Sequence, residues 1–441
     1  MTPSLRAKSI TRYLEFGTAV ALAVAIVPSL TALAPKLGSW IGPLNLLKVL
    51  SPIPLIYLCW AVCYRNGTIQ SSSQFARAIA LTGLAFAIST LGAGYLCHFP
   101  PNFMRETFVM ALSAPLAASF FVMNATSRYR VAVFWGVFTV STALLDATFP
   151  EATDWLLKHF FDPNSRRIDL IEVGQVVSGV LGRQSLAKLL AWTPWLILAT
   201  APKVLLRHWV LLVISFGLIL PTSQRGPFVA ATTSGICWIW LLWRRNPEAA
   251  KRGLPTIALA ISAIIGFTLA VAPPGIVESR LTSLLGLPAT SQLGQSAQNN
   301  ITFRKQMYLF SAKTALQHPF GHACISGDEF MLAGITHLSH SHNVFLEQFR
   351  SRGWLWGLVH LFLWFSILFL NRPKARQTQN AKAIEAADYW FCAWISLTVS
   401  GLFDHVWPVL NQAVIVSCVL IGSSLQVAAR GQNPKTPESA Y

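Results

Sequence analysis

Apolar runs of about 17 to 20 residues recur along the whole chain, each long enough to cross about 30 Å of hydrocarbon as a helix. A segment placed in lipid must satisfy its backbone polar groups internally, and a helix does so within itself. Only 12% of the 441 residues are charged while 53% are hydrophobic, whereas soluble domains carry about a quarter charged residues. The sequence therefore excludes an ordinary soluble enzyme and predicts an all-α, polytopic integral membrane protein.

Apolar windows fall near residues 17–34, 44–64, 78–97, 107–124, 131–149, 185–202, 208–221, 226–243, 255–273, 353–370, 388–403 and 410–428. They predict about 12 transmembrane helices. The first window follows Arg6, Lys8 and Arg12. It reads as a membrane helix rather than a signal peptide, being too long for a typical signal core and lacking a small-residue cleavage site. The expected organisation is nine helices in residues 1–273, a large outer loop over 274–352, three helices in 353–428 and a tail over 429–441.

The formal charge of +17 would point to nucleic acid in a soluble chain. In a membrane chain its distribution along the connections carries the information instead. The N-terminus, the C-terminal tail and alternate connections hold 19 Lys and Arg, while the short connections between them hold only Lys36, Arg105 and Arg225. Basic connections stay in the cytoplasm, which predicts cytoplasmic termini and no nucleic-acid partner. Segments 150–184 and 274–352 then face the opposite side. The seven cysteines form no CxxC pair and no disulfide framework.

The 274–352 segment is far longer than a usual helix connection, and long ordered loops tend to carry function. Within it Phe303, Met307 and Phe310 recur at helical spacing after Thr302, with Leu316 further along. This predicts an amphipathic helix over 303–316, capped by Thr302 and ended by Pro319 and Gly321. Its apolar stripe is expected to rest on the membrane helices or the interface.

The densest polar cluster is His337, His340, His342 and Asn343. Histidine exchanges protons near neutral pH. A zinc site and a plain interfacial cap are alternative readings, but no carboxylate or cysteine stands at settled metal-ligand spacing, and no metal is expected. On the same side lies Arg225, in Thr222-Ser223-Gln224-Arg225-Gly226-Pro227, either snorkelling to headgroups or held at a helix start to bind an anion. Arg304, in the first turn of the expected helix, and Arg280, beside Glu278, add cations whose planar forks suit phosphate. Arg280 can equally pair with Glu278. Arg183 and Lys188, at the outer end of the sixth span, and Asp404 and His405, in the last outer hairpin, are weaker candidates open to an anchoring role. There is no P-loop, GxGxxG, GxSxG or HExxH pattern, so neither a cofactor nor nucleotide-driven chemistry is expected. A histidine and several arginines on one membrane face suit an anionic, phosphate-bearing lipid.

These residues resemble the O-antigen ligase and polymerase superfamily, multi-spanning bacterial enzymes that use glycans linked to undecaprenyl pyrophosphate. His342-Asn343, nine residues and then Gly353 looks like the ligase pattern of a histidine and a polar residue, nine positions and a glycine. That pattern ends three positions later in Gly, Thr or Tyr; here Trp356 stands instead, with Gly357 next. Arg225 with Val229 four residues on nearly meets the upstream arginine and leucine pattern, and the Arg304 helix running to Pro319-Phe320-Gly321 is similar to the family loop. The polymerase pattern of two outer-loop segments, each an arginine, ten residues and a glycine, is absent: Gly235 follows Arg225 with nine between, and Arg280 and Arg304 have no glycine at that spacing.

The resemblance implies an O-antigen ligase, a glycosyltransferase moving a glycan from undecaprenyl pyrophosphate to the lipid A core oligosaccharide without metal or nucleotide and with inversion. His342 would be the base and Arg225 and Arg304 the pyrophosphate ligands. Arg280, His340, Asn343, His337, Arg183 and Lys188 would contact substrate. The implied location is the bacterial inner membrane, among membrane lipids, with the site facing the periplasm. An O-antigen or exopolysaccharide polymerase is the alternative. A lipid-linked saccharide flippase or transporter is the second, though transporters place ionisable residues near mid-membrane, where Lys48 is the main candidate and Asp146 lies towards the outer end of its span.

Overall fold

The computed structural model describes residues 5–27, 50–64, 84, 87–96, 101–156, 158–159, 181–222, 224–271, 292–322, 342–370, 381–403 and 410–431. Among the described residues every regular element is helical and no strand occurs. We number the helices α1 (Leu5–Ala23), α2 (Pro52–Tyr64), α3 (Ala87–Leu96), α4 (Pro101–Val122), α5 (Ala125–Thr148), α6 (Pro150–Leu156) and α7 (Arg183–Thr200). They continue as α8 (Leu206–Ile219), α9 (Arg225–Arg245), α10 (Pro247–Val271), α11 (Gln292–Gln317), α12 (Val344–Leu370), α13 (Ala381–Phe403) and α14 (Leu410–Gly431).

Each expected apolar window overlaps one of these helices. Among the described residues, four stretches are long and apolar enough to cross a membrane: Ser9–Ile26, Ala125–Thr148, Arg225–Arg245 and Ala250–Val271. The architecture fits a helical membrane protein. Lys48 lies outside the described residues, and Asp146 is buried two residues before the end of α5.

Two boundaries differ from the sequence expectation. The loop helix does not start at Thr302 but runs from Gln292 to Gln317. Gln292–Ile301 contains no proline to stop a helix, and Thr302 is tolerated inside one because its helix propensity is only a few tenths of a kcal/mol below that of good formers, roughly. The tenth apolar window likewise begins early, at Val344, and is broken at Gly353, which has φ 83° and ψ 177°.

Helix α13 sits at the centre, packed most extensively against α9 and α7. Lipid supplies no hydrophobic drive between helices, so such contacts depend on small residues and on satisfied polar groups. The buried face of α9 is Gly226, Pro227, Ala230, Ala231 and Ser234, small enough for close approach. At one end of the pair Gly226 lies so close that an added Cβ would meet Phe403 Cβ at 2.8 Å. At the other end Arg245 pairs with Asp388. The two helices are therefore antiparallel over a length of about 25 Å, at a rise of about 1.5 Å per residue.

Tryptophans fill the core, and the buried indole N–H groups of Trp135, Trp192, Trp195, Trp356, Trp364 and Trp394 find acceptors, as an apolar interior requires. Trp192 donates to Ser400 Oγ at 3.1 Å and Trp195 to Ser234 Oγ at 3.0 Å, joining α7 to α13 and α9. Trp364 donates to Thr398 Oγ1 at 2.7 Å and Trp394 to the Trp364 carbonyl at 2.8 Å, joining α12 to α13.

Candidate active site

Three chain segments distant in sequence meet at the Phe403 end of α13. The first is the start of α9. Pro227 fits in the first turn, where backbone N–H groups have no helical partner in any case, and Arg225 is the first helical residue. Its Nη2 is buried with no hydrogen-bond partner.

The second is α11. Arg304 Nη1 donates to the Phe403 carbonyl at 2.8 Å. One turn on, Tyr308 Oη lies 3.0 Å from the Leu402 carbonyl and 3.3 Å from the His342 carbonyl. Arg304 is close enough to Arg225 for the two positive charges to repel. Neither arginine forms an ion pair with a carboxylate among the described residues. Arg304 sits mid-helix rather than in a first turn, so the packing of α11, not a helix end, brings it here.

The third is the turn into α12. Asn343 Oδ1 accepts from the N–H groups of Phe345 at 3.0 Å and Leu346 at 3.1 Å, satisfying two of the four donors left free at a helix start. Its Nδ2 donates to the Leu402 carbonyl at 3.3 Å. His342, immediately before this cap, is buried and has φ 52°, the left-handed region that residues with a Cβ rarely enter. The carbonyls at the end of α13 thus collect donors from Arg304, Asn343 and Tyr308.

A glycine lock sets the angle of α11 against α12. Gly321, with φ 94°, and Gly353 touch backbone to backbone: a Cβ on Gly353 would lie 2.5 Å from Phe320 C and 2.6 Å from the Pro319 carbonyl oxygen. Trp354 N–H donates to the Pro319 carbonyl at 2.8 Å, and His322 N–H to the Arg350 carbonyl at 2.6 Å. Beneath this turn Glu347 and Arg350 form a buried ion pair. Beyond the break, an added Cβ on Gly357 would meet the Phe349 ring at 2.5 Å, and Trp356 Nε1 donates to Gln348 Oε1 at 2.6 Å. The position where the chain departs from the ligase pattern is therefore filled by a hydrogen-bonded tryptophan, with the close glycine contact one residue later.

Of the residues singled out in the sequence, Arg225, Arg304, His342 and Asn343 come together. Lys188 is buried in α7, one turn from Trp192, and near Ser185, whose hydroxyl accepts from Gln412 Nε2 of α14 at 2.5 Å. Arg183 opens α7. Arg280, His337, His340, Asp404 and His405 lie outside the described residues. Among the described residues no three His, Cys, Asp or Glu side chains gather as metal ligands.

Sequence reasoning missed Tyr308, Glu347, Arg350 and Arg352. Tyr308 follows Arg304 by four residues, which on a helix means the same face, and this spacing was a usable signal. Glu347, Arg350 and Arg352 were hidden because 274–352 read as loop, whereas they belong to a buried helix. There Arg352 Nη1 reaches Thr90 Oγ1 of α3 at 3.4 Å.

No curated protein matches the chain in sequence. Residues 210–362 match the family model described as O-antigen ligase. The matched stretch runs from α8 into α12 and includes Arg225, Arg304, Tyr308, His342, Asn343 and Gly353. Over that stretch, 153 of the 441 residues, the chain is similar to the O-antigen ligase family.

Proposed function

We propose that this protein is an O-antigen ligase that transfers a whole glycan from undecaprenyl pyrophosphate to the lipid A core oligosaccharide. Similarity to the O-antigen ligase family over residues 210–362 supports lipid-linked glycan substrates in general terms. The observation that carries the finer reading is the convergence of the two arginines on Phe403, against which Gly226 beside Arg225 packs and to whose carbonyl Arg304 donates, with no carboxylate paired to either among the described residues. Two like charges held together in a poorly solvated site are costly until an anion joins them. Arg225 also stands at the positive end of a helix dipole, which deepens the preference for an anion. A pyrophosphate, accepting several hydrogen bonds from each planar guanidinium, satisfies both.

In this mechanism His342 takes the proton from the acceptor hydroxyl, whose oxygen attacks the anomeric carbon. The bond from that carbon to the pyrophosphate oxygen breaks, and Arg225 and Arg304 hold the charge that develops on the departing undecaprenyl pyrophosphate. Direct displacement inverts the anomeric configuration. No nucleotide or metal is needed, because the pyrophosphate linkage already activates the sugar. Asn343 orients the turn, while Arg280, His337, His340, Arg183 and Lys188 contact the substrates.

The same reading puts about twelve helices across the bacterial inner membrane, both termini in the cytoplasm and the site at the periplasmic face. The bias of basic residues supports it, as does the antiparallel pair of α9 and α13. Arg244 and Arg245 close the end of α9 opposite Arg225. The 274–352 segment then lies on the periplasmic side.

The test is reconstitution of purified protein with undecaprenyl-pyrophosphate glycan and lipid A core, without nucleotide and with chelator, followed by mass analysis of both lipids. Whole-glycan transfer to the core, sharply slowed in Arg225→Ala, Arg304→Ala and His342→Ala, is the expected result. Lengthening of the lipid-linked glycan by whole repeats would make the protein a polymerase. Movement of unchanged substrate across sealed vesicles would make it a flippase or transporter.

A further inference from the structure

The last turn of α13 is a shared anchor for groups that belong to different segments. Carbonyls at a helix end take donors from outside the helix. Leu402 O accepts from Asn343 Nδ2 at 3.3 Å and lies 3.0 Å from Tyr308 Oη, while Phe403 O accepts from Arg304 Nη1 at 2.8 Å. Tyr308 Oη also lies 3.3 Å from the carbonyl of His342. A phenol has one proton to donate, so this hydroxyl is shared between the end of α13 and the turn that carries His342.

Tyr308 follows Arg304 on the same face of α11, about 6 Å further along the axis. Arg304 and Tyr308 are therefore two fixed points on one rigid rod. The first is tied to Phe403, the second to Leu402 and to His342. The left-handed backbone of His342, with φ 52°, is a conformation that persists only when its surroundings hold it. Asn343 holds the following side of that turn and Tyr308 holds its carbonyl.

We propose that Tyr308 is a positioning residue that fixes the separation of Arg304 and His342 through the end of α13. The proposal rests on the roles given to Arg304 and His342 under the proposed function. The Tyr308 hydroxyl meets the backbone carbonyls of Leu402 and His342. Its effect is to keep the imidazole at a set distance from the anion that the arginines hold, and errors of about 1 Å in such distances cost about a hundredfold in rate.

The test uses Tyr308→Phe in the full chain in lipid nanodiscs, a change that keeps the ring and removes one hydroxyl. With saturating donor, kcat for glycan transfer is expected to fall about tenfold while the donor KM moves less than about twofold, the pattern of a lost transition-state arrangement. The double variant Tyr308→Phe/His342→Ala is expected to be no slower than His342→Ala alone, because Tyr308 acts through His342. Amide exchange at Phe345 and Leu346 is expected to quicken in Tyr308→Phe, with exchange in α12 beyond Gly353 unchanged.

Unaltered kcat, a loss confined to KM, additive losses in the double variant, or unaltered exchange at 345–346 would each overturn the proposal. Should the unsubstituted protein transfer no glycan, the functional reading falls. The exchange measurement alone then decides whether Tyr308 holds the His342 turn.

Discussion

Replacing Gly353 by alanine attacks the joint on which the α11 and α12 geometry depends. With φ 83° and ψ 177°, the residue occupies a backbone region essentially reserved for glycine, and forcing a Cβ into such a region costs about 1 to 3 kcal/mol. The new methyl would also meet Phe320 C at 2.5 Å, the Pro319 carbonyl oxygen at 2.6 Å and Gly321 N at 2.8 Å. All three are backbone atoms that cannot swing aside. The turn must lift, breaking the 2.8 Å bond from Trp354 N–H to the Pro319 carbonyl, worth about 1 kcal/mol. The total is about 2 to 4 kcal/mol, from strain and one lost hydrogen bond. Tryptophan fluorescence reads the consequence during thermal unfolding in detergent, since Trp354 is the next residue. A fall in Tm of several degrees is expected, at about 2 °C per kcal/mol for a chain larger than a small domain. Gly253→Ala is the control, because nothing lies within 4 Å of its added Cβ. Equal melting of Gly353→Ala and Gly253→Ala would refute the reasoning.

Three further outcomes follow from the same contacts. Asn343→Ala removes the cap on Phe345 and Leu346 N–H, and a loss of about 1 kcal/mol in unfolding free energy is expected, with Asn343→Asp recovering most of it; equal stability of all three proteins would dismiss the cap. Glu347→Gln leaves the Arg350 charge, 3% exposed, buried without its carboxylate, and should destabilise by about 3 to 5 kcal/mol. Denaturation of Glu347→Gln beside the double replacement Glu347→Leu/Arg350→Met tests this, since the double change should cost less than the single one. Gly226→Ala puts a methyl 2.8 Å from Phe403 Cβ, prising α9 from α13 where Arg225 faces Arg304. Glycan transfer should drop by about tenfold or more, while Gly235→Ala, whose nearest neighbour lies at 3.9 Å, should transfer normally.

Much of the architecture was legible because lipid imposes a one-dimensional rule. A span must be a long apolar helix, and apolar length is visible in the residue order itself. The helix breaks, the His342-Asn343 cap and the glycine at 353 are likewise local, since each acts on backbone atoms within a few residues. Where the reading slipped it did so for the same reason. Thr302 looks like a cap, but no proline in Gln292–Ile301 stops a helix before it, and the charged run Glu347, Arg350 and Arg352 looks like loop until its partners are known.

What the residue order could not contain is proximity between distant segments. Arg225 and Arg304 converge on Phe403 because small residues let α9 close on α13 and because α11 is tied to the end of α13. Gly321 and Gly353 are separately plausible turn residues, and only their backbone contact explains why neither can carry a side chain. The chain by itself determined that it folds as membrane helices and which polar groups it has to spend, because those follow from apolar length and local backbone preference. Tertiary structure alone decided which of those groups share one site, because side-chain packing between helices, rather than spacing along any one of them, sets those distances.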